Sequence, residues 1–440
     1  MPTASGPLVA VVGGGLAGLA AAARLAKMGH PVRLHEASDR LGGPWAPYEL
    51  GTGPVVDDAP GVLTFPAPWR DLFRKSGRPL EAELGRAGYE LAPAPGATHR
   101  FADGSELVLP SDRGEQHEAL LHAYGPGAAA RWQLLLDSLG DVWQALRPLG
   151  LEEAYASSAV TRDVVRRLRG RRSLADLADS LDEPHLRALV RSAAHRQGTT
   201  PEQAPALTAV DLLVTRTFGR WQVRPTTPAT SAAPGTPPSG DVGRTSVLVE
   251  ALTARLGLRG VDVRLGSRVV AVETSRDAVT GVRTAAGLEP AAAVVLAVDP
   301  WTAVGLLPPA VARGLQRSLR GAAPARLPTA VHTVLDEAGG GHGDVDENVH
   351  LDADGVPVVT TVRRLSGTAV RTVHDHHVTT RRPGSGLVTT GFRRWRRRPG
   401  TSPGVPGLAL AGAASPAGPG PSAVVQSGAL AAYAVAGRRD

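Results

Sequence analysis

Three glycines, Gly13, Gly15 and Gly18, and one acid, Glu36, stand at a spacing that can hold a dinucleotide. The Gly-x-Gly-x-x-Gly pattern follows a short apolar run, Leu8 to Val12, and precedes an alanine- and leucine-rich stretch that ends at Met28-Gly29. That context reads as strand, turn and helix, and only there does the motif carry weight. Gly13 permits the tight turn, Gly15 lets the main chain approach a pyrophosphate, and Gly18 lets the helix lie close on the sheet. The opening helical turn, with Leu16 and Ala17, would offer free N–H groups and the positive end of the helix to the phosphates. Val32 to His35 reads as the next strand, and Glu36 at its end can accept hydrogen bonds from ribose hydroxyls. Glycine spacing alone leaves the ligand open between NAD and FAD.

The following residues bear on that choice. Glu36-Ala37-Ser38-Asp39-Arg40-Leu41-Gly42-Gly43 resembles the E-x(3)-R-x-G-G segment of flavoproteins related to amine oxidases and phytoene desaturases. The resemblance implies FAD, and it implies that Ala37, Arg40, Gly42 and Gly43 continue the cradle past the ribose. Asp57-Asp58-Ala59-Pro60, running on to Thr64-Phe65-Pro66, is similar to the D-x-G-P-x-x-x-T-x-P segment of the phytoene desaturase type, with Ala59 in place of a glycine. In that family the segment passes beside the flavin ring. Asp241-Val242-Gly243-Arg244-Thr245 resembles the family's G-G-M-G-x-L stretch, and Val270 or its neighbour Val269 matches a strand valine whose backbone meets the adenine. Ala297-Val298-Asp299-Pro300-Trp301 resembles the return to the FAD domain. Leu408 to Ala413, with Pro416, Gly418, Gly420 and Pro421, resembles the second FAD motif. There a strand ends at the cofactor and a helix points its N-terminus at the ring, which implies contacts from Gly412, Ala413, Ser422 and Ala423. Many relatives carry an acid where this chain has Ala413.

The elements that must position these residues follow from pattern. The fold expected is α/β: a discontinuous Rossmann-like FAD domain with a parallel sheet, and an inserted, mainly helical α+β substrate domain. Residues 1–75, 241–308 and 391–440 are assigned to the FAD domain. Residues 76–224 and 309–390 are assigned to the substrate domain, and the low-complexity stretch 225–240 to a linker. His99 to Leu109 reads as a hairpin turning at Asp103-Gly104. Arg131 to Leu146 and Ser173 to Ala194 carry the apolar spacing of amphipathic helices. Val261 to Leu265, Val269 to Glu273 and Ala291 to Ala297 read as strands, Thr245 to Leu256 and Val424 to Val435 as helices. Residues 310–390 show little pattern, with 339–343 as a flexible stretch.

With 440 residues, 42% of them apolar, the chain can fill more than one core. The absence of cysteine excludes disulfides, thiolate metal sites, iron–sulfur clusters and a cysteinyl-flavin link, so FAD is expected to be non-covalent. Net charge is +7, supplied almost wholly by arginine. No nucleic-acid motif accompanies it. The N-terminal stretch does not read as a secretory signal and no run suits a membrane span, so a cytoplasmic protein is expected. The run Arg393 to Arg398 around Trp395 reads as a solvated basic loop, since no long amphipathic helix accompanies it, with peripheral contact with anionic lipid as the alternative. His374 to His377 is dense in imidazole, yet neighbours along a strand face opposite ways, and no metal site is assigned. Phe218-Gly219-Arg220-Trp221 reads equally as the lining of a substrate channel or as a buried aromatic stretch at a domain seam. Three activities fit: hydride removal from carbon of a long apolar small-molecule substrate such as a carotenoid precursor, as in polyene desaturation; amine oxidation, which would want an aromatic cage in a chain with 4% aromatics; and a flavin-fold binding subunit without turnover. No catalytic residue is assigned.

Overall fold

The computed structural model describes residues 6–226, 241–275, 278–335, 344–365, 368–381 and 384–437. Nearly all of the expected linker, residues 227–240, and the stretch 339–343 lie outside the described residues.

The Val9–Val12 strand is apolar throughout, and it sits at the centre of a five-stranded parallel sheet. Its neighbours are Val32–His35 on one side and Ala293–Leu296 on the other, with Asp262–Arg264 and Leu408–Leu410 at the edges. Successive side chains of a strand point to opposite faces. Val9 and Val11 accordingly join one core, with the Leu16–Lys27, Ser246–Leu258 and Pro421–Ala436 helices. Ala10 and Val12 join another, beneath the antiparallel strands Val269–Ser275 and Ala278–Thr284. The Leu16–Lys27 helix is buried continuously from Leu16 to Leu25. Four consecutive alanines, Ala20 to Ala23, let neighbours close in on every side of it.

A second layer is built on a six-stranded mixed sheet. Its order runs Arg326–Leu335, Thr368–Arg381, Pro357–Leu365, Asp346–Leu351, Ala97–Phe101, Glu106–Leu109. The last two strands are the expected hairpin, with Ser105 N–H donating to Asp103 across the turn. Helices between Arg113 and Phe218 cover this sheet through a core that includes Trp132, Leu136, Leu189 and Val349.

Several expectations change here. The helix expected over 173–194 is two, Leu174–Ala178 and Pro184–Arg196. Pro184 opens the second, and the Glu183 carboxylate caps it by accepting from His185 N–H. The stretch over 131–146 divides at Leu139 into Arg113–Ser138, itself kinked at Gly125, and Gly140–Leu146. Residues 310–390 are largely strand. In Pro357–Leu365 the buried face is Pro357, Val359, Thr361, Arg363 and Leu365, so two polar side chains interrupt the apolar alternation that would betray a strand. Packing also crosses the assigned boundaries. Leu80 and Leu84 join the parallel-sheet core, Ala312 and Leu315 lie on its opposite face, and Phe392 and Trp395 enter the helical core.

Candidate active site

The glycine turn divides its labour. A Cβ on Gly18 would fall 1.8 Å from the Gly13 carbonyl oxygen, and one on Gly13 would fall 2.5 Å from that of Ala297. Both positions are closed by backbone. At Gly15 nothing lies within 4 Å of the same point, and its φ of −72° suits any residue. Gly15 is therefore glycine where space, not conformation, is kept open. It caps the Leu16–Lys27 helix without a side-chain hydrogen bond, and no acid stands in the first turn. The N–H groups there and the positive helix end face the opening.

That opening is a cavity of about 430 Å³. Gly13, Gly15, Leu16, Ala17 and Glu36 line it from the first strand-turn-helix unit, Gly42 and Gly43 from the next loop, and Gly412 and Ala413 from the end of the Leu408–Leu410 strand. The Glu36 carboxylate accepts from Gly14 N–H at 2.7 Å and from Ser38 N–H at 2.8 Å, which fixes it at the rim. Gly42 N–H donates to the Gly14 carbonyl, drawing the two glycine loops together. Gly412 N–H is held by Ser427 Oγ at 3.0 Å.

Other expected residues lie elsewhere. Ala37 and Arg40 are exposed and outside the lining, and the Arg40 guanidinium lies 5.6 Å from the centre of the Tyr48 ring. Val270 is also outside it, with its side chain half exposed on the Val269–Ser275 strand. Next to Glu36 runs instead the backbone of Gly266 and Ser267, whose N–H groups donate to the Ser38 and Glu36 carbonyls. Ser422 and Ala423 line a second cavity, and Ser422 Oγ donates to the Thr64 carbonyl.

This second cavity, about 290 Å³, shares Pro419 and Pro421 with the first as a common wall. Pro60, Val62, Thr64 and Phe65 line it from the segment after Asp58, and Trp143, Leu146, Val210 and Val214 from the helices. Of the Phe218–Trp221 stretch only Arg220 reaches the lining; Phe218 packs on Phe65 with the rings tilted, 4.8 Å between their centres. Asp57 anchors this wall. It is fully buried, pairs with the equally buried Arg363 at 3.1 Å, and accepts from Ser246 N–H at 2.9 Å. Asp58 accepts from Tyr48 at 2.7 Å, and its carbonyl meets His374 Nε2 at 3.0 Å.

Sequence reasoning missed Arg196, Asp211 and Glu347 of the second cavity. Burial pushes the Asp211 carboxyl up to about 6, against a hydrogen bond from Gln197 that favours its charge. No local motif marks these residues. The histidine run spreads out as its alternation implies: His376 meets the His195 carbonyl while His377 turns to Asp375 and Asp352. Among the described residues no group of His, Asp or Glu is placed to hold a metal, and no helix is long and apolar enough to cross a membrane. In the arginine run Trp395 is buried against Phe392 and Arg398 donates to the Ser415 carbonyl, so the aromatic ring that lipid contact would use is committed to the core.

A parallel sheet with a glycine-opened helix facing a cavity at its strand ends defines a Rossmann-type nucleotide fold. Comparison narrows the class. The model of the flavin containing amine oxidoreductase family matches residues 16–346, and the chain belongs to that family. A phytoene dehydrogenase from Streptomyces griseus is 30% identical over 306 residues, 68% of this chain and 56% of that protein. A hydroxyneurosporene desaturase from Cereibacter sphaeroides is 36% identical over 145 residues, 32% of this chain and 28% of that protein. The chain thus spans little more than half the length of the first of these relatives and less of the second. Among solved structures, putrescine oxidase bound to putrescine superposes with a TM-score of 0.65 at 16% identity, over 98% of this chain and 99% of that one. An oxidoreductase from Methanosarcina mazei gives 0.64 at 14% identity, over 96% and 98%. At such identities the likeness is one of fold.

Proposed function

We propose that the protein binds FAD non-covalently along the first cavity and removes hydride from carbon of an apolar, polyene-type substrate in the second. The observation that carries this reading is the shared wall. One cavity has an uncapped helix start, open space over Gly15 and an acid at its rim. The other is largely apolar, and the two meet at Pro419 and Pro421. FAD, when bound, supplies the two-electron acceptor. Leu16 and Ala17 N–H groups would hold its diphosphate and Glu36 the adenosine ribose, while Gly412 and Ala413 border the side toward the substrate. Phe65, Trp143 and Val214 give the second cavity a water-poor wall against which an extended hydrocarbon can lie. The similarity to a phytoene dehydrogenase supports a polyene.

The test is the visible spectrum of the purified protein. A flavin spectrum that bleaches anaerobically on addition of a polyene is expected. Bleaching by a primary amine alone would move the reading to amine oxidation. A protein that stays colourless after incubation with FAD would overturn it.

A further inference from the structure

The second cavity is charged at one end. Arg196 closes the Pro184–Arg196 helix, Asp211 stands in the first turn of the Val210–Phe218 helix, Arg220 opens the Arg220–Pro225 strand, and Glu347 lies in the Asp346–Leu351 strand. All four line the cavity. Three of them are partnered. Arg220 pairs with the buried Glu347 at 3.1 Å, and Gln197 Nε2 donates to Asp211 at 2.6 Å. The Arg196 guanidinium makes no hydrogen bond or ion pair with any described residue, and Glu347, Arg220 and Asp211 act on it only through space. Arg196 and Asp211 are open to water at the lumen, yet protein surrounds both closely enough that burial lowers the Arg196 pKa and raises that of Asp211.

This arrangement conflicts with a wholly hydrocarbon substrate. A guanidinium carries five N–H donors. A hydrocarbon lying against Arg196 would take water from the guanidinium and offer no acceptor in its place, which costs free energy. A carboxylate would satisfy it, in the planar two-bond geometry that arginine favours. A cation fits less well. The Glu347 charge is already answered by Arg220, and Asp211 accepts from Gln197 on one of its oxygens, whereas the whole donor set of the Arg196 guanidinium is unused. The volume, about 290 Å³, also lies at the small end of small-molecule sites and suits one end of a chain rather than a long polyene entire.

We infer that the substrate has an apolar body ending in a carboxylate, and that Arg196 binds that carboxylate. The inference rests on the reading of the second cavity as the substrate site. Its test is a titration of the full chain with three matched polyenes, retinoate, retinol and retinylamine, read by energy transfer from tryptophan, Trp143 being in the cavity wall. Retinoate should bind at least about tenfold more tightly than retinol, as a charge-assisted pair requires. Arg196→Gln should bring the two within about twofold of each other with retinol bound no more weakly than by the wild type, which also shows that the variant folds. Arg196→Lys should keep part of the preference. Equal affinities in the wild type, a preference that survives Arg196→Gln, tightest binding of retinylamine, or no binding of any of the three would overturn the assignment. The readout needs no turnover. A protein without flavin that shows the Arg196-dependent preference sinks the flavin reading alone, and a flavin-loaded, polyene-bleached protein without it sinks this inference alone.

Discussion

Replacing Gly15 and Gly18 by alanine, one at a time, should separate binding from folding. The two lie three residues apart, yet the added methyl meets different surroundings. At Gly15 it enters open space within the first cavity and the backbone is already extended. A glycine-to-alanine change at a compatible φ stabilises by about 0.4–1 kcal/mol through the unfolded chain. Alanine is poorer than glycine as a helix N-cap by an amount of similar size, up to about 1 kcal/mol. The two effects offset each other, so urea-unfolding stability should stay within about 1 kcal/mol of the wild type. The methyl does occupy the path assigned to the diphosphate. Crowding of this kind costs about 1–3 kcal/mol, which corresponds to roughly 5- to 150-fold in the Kd for FAD. At Gly18 the methyl would sit 1.8 Å from the Gly13 carbonyl oxygen, and the helix must move off the sheet. A loss of more than about 3 kcal/mol, beyond ordinary overpacking, is expected. Quenching of FAD fluorescence on titration into flavin-free protein measures the first effect, and urea denaturation followed by circular dichroism the second. If Gly15→Ala takes up FAD with wild-type affinity, no phosphate passes over Gly15 and the site assignment fails.

Three further outcomes follow from the same contacts. Glu36→Gln should weaken FAD by about tenfold or more, through loss of a charge-assisted ribose contact, but leave FMN affinity unchanged, since FMN has no adenosine; parallel titrations with the two flavins decide it. Asp211 carries a carboxyl raised by burial to about 6, above its unfolded value, so its contribution to stability is full at low pH and is lost as pH rises through about 6. Relative to the wild type, Asp211→Asn should therefore gain stability between pH 4 and 7, as measured by urea unfolding at each pH. Arg363→Met would leave the Asp57 carboxylate buried without its cation, and a loss of about 3–5 kcal/mol is expected from chemical denaturation.

What the sequence displays plainly is whatever is built from neighbours in the chain. The strand, glycine turn, helix and second strand up to Glu36 span fewer than forty residues, and each residue there answers to a local requirement: an apolar run for a buried strand, Gly15 for open space, Glu36 at a strand end. The remainder depends on partners far off in sequence. Arg196, Asp211, Arg220 and Glu347 reach one cavity from two helices and two strands, and no spacing encodes that meeting. The strands between residues 326 and 381 hid for a related reason. Their buried face carries Arg363 and Thr372, polar groups that become acceptable inside because they hydrogen-bond to each other, so the apolar alternation that signals a strand is interrupted.

Asp57 shows why a sequence motif and a chemical role must be kept apart. Its segment resembles one that passes beside a flavin ring, which would suggest that its carboxylate takes part in the chemistry there. Instead both of its oxygens are engaged, by Arg363 across 306 residues and by Thr245 and Ser246 across nearly 190, and the side chain is wholly enclosed. The pair joins the six-stranded sheet to the start of the helix that packs on the parallel sheet, and so fixes Pro60 to Phe65 as one wall of the second cavity. A carboxylate so fully committed has no capacity left for a substrate. Its place in the motif follows from what it holds still: the wall of the second cavity, proposed as the substrate site.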